Sequence, residues 1–193
     1  MATASAIPAT RRERVDAQRN RSSIIAAARE AFERDGLSFQ IDDIARMAGV
    51  GTGTIYRNFP TKQALLEAIL VEGVRRRTEE ARQAALSGDP TGALFEFVSG
   101  MIERSCANKG MYELLASAGV DVQAAKAGAS AELWQAVEVL LRQAQEAGTV
   151  RRDMSVADLM ALLTGTCQAA SQYEGDPRWL TRFVQDGLRA PAD

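Results

Sequence analysis

The chain has 193 residues, 46% hydrophobic, 25% charged and 6% aromatic, with only 5 prolines and a formal net charge of -2. That balance excludes disordered and fibrous classes and is enough for one sizeable core, or for a small domain beside a larger one. Histidine is absent, which removes Ser-His and Cys-His catalytic pairs and the commonest zinc ligand.

Alanine, leucine, glutamate, glutamine and arginine dominate, and no valine- or isoleucine-rich alternating run occurs, so an all-α fold is expected. No stretch reaches the roughly 20 apolar residues that span a bilayer, and the first turns of the chain lack the apolar block of a signal peptide. No membrane partner and a cytoplasmic location are expected. Cys106 and Cys167 lie in helix-like apolar stretches without metal-ligand neighbours and read as buried free thiols. No catalytic residue, metal or cofactor is expected. The charge is uneven: residues 1–62 hold ten basic and seven acidic side chains, and the remainder 13 and 18. Positive charge therefore collects at the N-terminal end, as nucleic-acid binding requires.

Residues 1–21 read as a disordered start, MATASAIPAT, running into a basic arm, RRERVDAQRNR. Arg11, Arg12 and Arg14 fit either a groove-seeking arm or a merely solvated segment. From Ser22, Ile24, Ile25, Ala28, Ala31 and Phe32 recur at helical spacing until Asp35-Gly36. Ile41, Ile44, Ala45 and Ala48 form a second short apolar face ending at Gly49-Val50-Gly51. TGTIYRNF then follows, with a break at Pro60. Thr61 caps a longer helix through Leu65, Leu66, Ile69, Leu70 and Val74, a connector reaching about residue 86. Its Arg75-Arg76-Arg77 run reads as a solvated face and is assigned no function.

Asp89-Pro90 opens a helix through Leu94, Phe95, Val98, Met101 and Ile102. Further helices are expected over 111–118, 131–147, 155–172 and 177–188, with Ser155 and Asp158 spaced as a capping box. This divides the chain into the arm, a helix-turn-helix domain over 22–67, and a ligand-binding and dimerisation domain over 68–193.

Ile41–Lys62 carries the function: a short amphipathic helix, a turn on Gly49, a second short helix at about Thr52–Phe59, then a capped third. That is a helix-turn-helix layout with a recognition helix. Gly51, Thr52, Gly53 and Thr54 are short enough to bring a backbone close to phosphates and base edges. Arg57 offers a guanidinium fork to guanine or phosphate, and Tyr56 and Asn58 can donate to phosphate oxygens. Thr61 and Lys62 open the next helix, whose positive end favours a phosphate. Ile44, Ala45, Val50, Ile55 and Phe59 face inward.

DDIARMAGVGTGTIYRNFPTKQALL resembles the helix-turn-helix signature of the TetR family, named for the tetracycline repressor. The likeness covers roughly residues 22–70: spacing, turn glycine, Tyr-x-x-Phe and the following lysine coincide. The resemblance implies a three-helix first domain, phosphate contacts from Tyr56 and Lys62, and Thr52, Thr54 and Arg57 at the groove of double-stranded DNA. Gln40, where the family usually has Ser or Thr, Gly51 for a hydroxyl and Asn58 for a common histidine depart from the pattern. GTVRRDMSVADLMALLTG is similar to the stretch leading into the family's dimerisation helices.

In the second domain Phe95, Met101, Met111, Leu115, Trp134, Val137, Leu141, Met160 and Leu163 supply bulky apolar surface suited to a pocket. Cys167, with Thr164, Thr166 and Gln168, can add polar contacts, so a small apolar or amphipathic effector is expected. Small residues Gly165, Thr166, Ala169 and Ala170 beside Leu159, Leu162, Trp179 and Phe183 suit close helix packing between two subunits. The expectation is a homodimeric repressor on a palindromic operator, released by the effector. A C-terminal enzyme and a helical module binding protein are the rival readings.

Overall fold

A computed structural model describes residues 11–107 and 111–191. The disordered start expected at 1–10 lies outside them. The described residues form nine α-helices and no strand. One isolated backbone bridge joins Val150 to Arg189. The chain divides into two compact units between Ile69 and Leu70.

In the first unit, α1 runs Arg11–Asp35, so the basic stretch 11–21 is the first part of this helix. The physical reason is that this polar stretch holds no proline or glycine and is rich in good helix formers. Extending a helix already held by packing also costs far less than nucleating one. A single turn at Gly36–Ser38 leads to α2, Ile41–Ala48, and then α3, Thr52–Asn58. Gly49 ends α2 at φ 68°, a left-handed conformation that a Cβ makes costly. Its N–H donates to Arg46 O and that of Val50 to Ala45 O, the paired bonds of a Schellman turn. Helix α4, Lys62–Ala84, starts in this unit and continues in the next. The core joins Ile24, Ala28 and Phe32 to Ile44, Ile55, Phe59 and Leu65. Phe39 is buried too, edge-on to Phe32 at 6.5 Å.

The second unit contains the rest of α4, α5 (Pro90–Ala107), α6 (Met111–Ser117), α7 (Val122–Glu146), α8 (Val156–Ala170) and α9 (Pro177–Leu188). Asp89 caps α5 by accepting from Gly92 N at 3.0 Å. Helix α7 starts well before residue 131 because Asp121 accepts from Ala124 N at 2.9 Å and opens it. The Ser155–Asp158 capping box forms with both reciprocal bonds. Leu94, Val98, Ile102, Val137, Leu140, Leu159, Leu163 and Leu188 form the centre of this core.

Candidate nucleic-acid interface and ligand cavity

The local chemistry of α3 puts its small and polar residues outside. Ile55 and Phe59 are buried and anchor the helix, and the positions between them turn to solvent. Gly51 stands at the N-cap, with φ -76° and ψ 150°. A Cβ added at Gly51 or Gly53 would meet no atom within 4 Å, so nothing in the protein requires glycine at either place. Thr52 and Tyr56 are exposed, Tyr56 by 54%. Arg57 is exposed, and its Nη2 donates to Thr54 Oγ1 at 3.0 Å. Asn58 is half-buried and donates to Thr54 O at 2.8 Å. Thr54 thus organises two neighbours from within the helix.

Around this face, Thr61 Oγ1 accepts from Ala64 N at 3.0 Å and caps α4. Lys62 is exposed, yet its Nζ donates to Leu37 O at 2.5 Å and Phe39 O at 3.2 Å and lies 4.0 Å from the Phe39 ring centroid. The lysine therefore ties the turn after α1 to the start of α4. Gln40 is exposed and uses its amide to reach Ser38 O at 2.8 Å. It does not cap α2 with its side chain. Sequence reasoning missed Arg21, whose guanidinium donates to Asn58 O at 3.4 Å and covers the Phe59 ring at 4.4 Å. The signal was its place one turn before Ile24 and Ile25, on the face that packs.

The second unit holds a cavity of about 450 Å³ that opens to solvent. Its wall brings together Val74 and Arg77 of α4, Met101 and Ser105 of α5, and Ala116 of α6. Helix α7 adds Val122, Lys126, Ala127, Ser130, Leu133 and Trp134, and α8 adds Met160, Leu163, Thr164, Cys167 and Gln168. Met101, Trp134, Met160, Leu163 and Cys167 are thus placed together as expected. Phe95, Met111, Leu115, Val137 and Leu141 do not line it. Val137 and Leu141 lie on the same stripe of α7 but further along, where the helices close into solid core. Phe95 is in that core as well, with the Arg189 guanidinium 5.1 Å from its ring. Leu115 is buried elsewhere. The missed lining residues Val122–Ser130 fall in the part of α7 that weak periodicity concealed.

Helices α8 and α9 leave a face open. Leu162, Gly165 and Ala169 are exposed on α8 and Thr166 is half-buried. Trp179 and Phe183 on α9 are exposed by 55% and 64%, their rings 4.8 Å apart. Leu159 and Ala170 are a correction to the expected interface: both are fully buried in the protomer's own core, leaving no surface for a partner. Among the described residues no helix is long and apolar enough to cross a membrane.

Comparison with known proteins agrees with this arrangement. Residues 24–69 match the model of bacterial regulatory proteins of the tetR family, and residues 89–190 match the C-terminal domain of SbtR-like transcriptional regulators. A TetR regulatory protein from Mycobacterium vanbaalenii is 40% identical, with 92% of this chain and 99% of that one covered and a TM-score of 0.72. The TetR regulator SCO0520 from Streptomyces coelicolor is 33% identical over 89% and 99% of the two chains, with a TM-score of 0.68. The HTH-type transcriptional regulator UidR of Escherichia coli is 23% identical over 91% of this chain and 92% of its own. The chain belongs to the TetR family of helix-turn-helix transcriptional regulators, a DNA-binding and non-enzymatic class.

Proposed function

We propose that this regulator is a repressor that binds a palindromic operator as a homodimer and is released by a small effector held in the 450 Å³ cavity. The cavity carries the reading: a concave, largely apolar pocket of this size between helices, with a few polar groups on its wall, is the form that small-ligand sites take. Helix α4 lends the reading a physical link. It opens with Lys62, beside the recognition helix in sequence, and its later turns supply Val74 and Arg77 to the cavity wall. An effector acts by favouring the arrangement that does not fit DNA, and a coupling of about 1–3 kcal/mol changes operator affinity roughly five- to 150-fold.

On DNA, Thr52, Thr54 and Arg57 read base edges. Gly51 and Gly53 allow close approach, and Tyr56, Asn58, Thr61, Lys62 and Gln40 contact or position the phosphate backbone. The homodimer forms through the exposed α8–α9 face, with Trp179 and Phe183 as aromatic anchors.

Selection of bound duplexes from random DNA at moderate salt tests this reading. A two-fold symmetric enriched sequence is expected, with affinity falling as salt rises because phosphate contacts release counterions. Tyr56→Ala should weaken binding to every duplex, whereas changes at Thr52 or Arg57 should shift the preferred sequence. A folded protein that enriches nothing would favour the protein-binding module instead.

A further inference from the structure

We propose that the cavity takes an amphipathic acid, with an apolar body against Met101, Leu133, Trp134 and Leu163 and an anionic head group on Arg77. The proposal rests on reading the cavity as the effector site and names the chemical class of the effector.

The argument begins with the three consecutive arginines of α4. Arg75 reaches Glu72 at 4.0 Å and Arg76 reaches Glu80 at 3.8 Å, and both are exposed. Arg77 differs on each count: it is half-buried, it lines the cavity, and among the described residues it makes no ion pair or side-chain hydrogen bond. The charge run is therefore not one solvated face, since its third member lines the cavity.

Donor chemistry narrows the guest further. Ser105, Ser130 and Thr164 each donate to the carbonyl one turn back in their own helices, at 3.0, 2.8 and 2.7 Å. The Cys167 thiol points at Met101 O at 3.7 Å. Their protons are committed, so none of these groups competes with Arg77 as the donor for a head group. Among the described residues the wall carries no carboxylate. A cationic guest would meet a like charge in Arg77. A neutral apolar guest would leave a half-buried guanidinium facing hydrocarbon, which is costly. An acid answers both, because the planar guanidinium fork matches a carboxylate or sulfonate bidentately and the low polarity around it strengthens the pair.

The test uses a matched pair of fluorescent probes on the full chain: anilinonaphthalene sulfonate, and phenylnaphthylamine, which has the same aromatic body without the acid. The sulfonate is expected to bind about tenfold more tightly, equivalent to ~1.4 kcal/mol. R77Q should erase that preference while leaving the neutral probe unchanged, and R76Q, the same charge change on an exposed neighbour, should not. A127F, which fills the cavity, should displace both probes. Equal affinity of the wild-type protein for both probes, or a preference that survives R77Q, would overturn the acid and leave the cavity as a ligand site. Probes that bind A127F as well as wild type would overturn the acid and the effector cavity together. The wild-type comparison holds even if a variant fails to fold.

Discussion

Replacing Gly53 by alanine separates what the recognition helix needs from what DNA needs. Gly53 lies in the first turn of α3 with φ outside the left-handed region, and a Cβ there meets no protein atom within 4 Å. The methyl group therefore brings no clash and only removes freedom from the unfolded chain, a gain of about 0.4–1 kcal/mol. For a protein of this size that raises the melting temperature by about 1–4 °C. If glycine is present because DNA comes close, the same methyl holds the helix off the backbone and loses at least one charge-assisted contact. That is about 1.5–3 kcal/mol, a loss of tenfold or more in affinity for all duplexes. Thermal unfolding and fluorescence anisotropy on the selected operator read the two quantities separately. Gly49→Ala is the counterpart. At φ 68° it costs about 1–2 kcal/mol of stability through backbone strain alone, and the folded fraction keeps its affinity. Unchanged binding in Gly53→Ala would refute close approach as the reason for this glycine; a drop in stability would refute the local reading of α3.

Three further outcomes are expected. Phe183→Glu should yield a folded monomer by sedimentation, because an exposed side chain contributes within about 0.5 kcal/mol to the protomer; a mass equal to that of the wild type would move the interface elsewhere. Lys62→Met should lower thermal stability by about 1 kcal/mol, through the lost bonds to Leu37 O and Phe39 O, and also reduce the salt slope of DNA binding by about one phosphate. A change in only one readout would assign the lysine to a single role. Stability should fall on acidification. The Ser155 hydroxyl and then its N–H hold Asp158 below the usual carboxylate range, and the Arg178 side chain and then its N–H do the same for Asp176. Depressed folded values mean the contribution is present above the unfolded value of about 3.9 and is lost as pH falls through the folded ones. Asp158→Asn should flatten that dependence, and melting curves at stepped pH would show otherwise if the slope were retained.

The first unit was largely legible because its signals are local. Gly49 after Ala48, the Ile44–Ala45 face and the Thr61 cap each follow from covalent geometry within a few residues, and the structure has them where the pattern predicts. The polar stretch 11–21 was not legible, because charge without apolar periodicity describes a solvated helix and an irregular arm equally well. In the second unit the period located stripes but not where along them the helices part. Leu133, Trp134, Val137 and Leu141 share one face of α7, yet only the first two meet the cavity. Whether a stripe faces a void or a packed wall depends on interhelical spacing, a property of several distant segments at once.

The same ambiguity governs charge, and it decides where the chemistry of this protein has to be sought. Arg21 and Arg77 both sit in charged runs in which sequence alone gives neither of them a role. In the fold the first braces the end of the recognition helix against Phe59, and the second lines the cavity. Each stands one to three residues from arginines that do stay outside, so neither charge density nor composition separates them; the phase of the helix does. A cation acquires a role where its rotation about the helix axis brings it over a neighbouring helix or a cavity. For Arg77 that rotation leaves a half-buried guanidinium on the cavity wall, where a partner of opposite charge gains more than it would in open solvent.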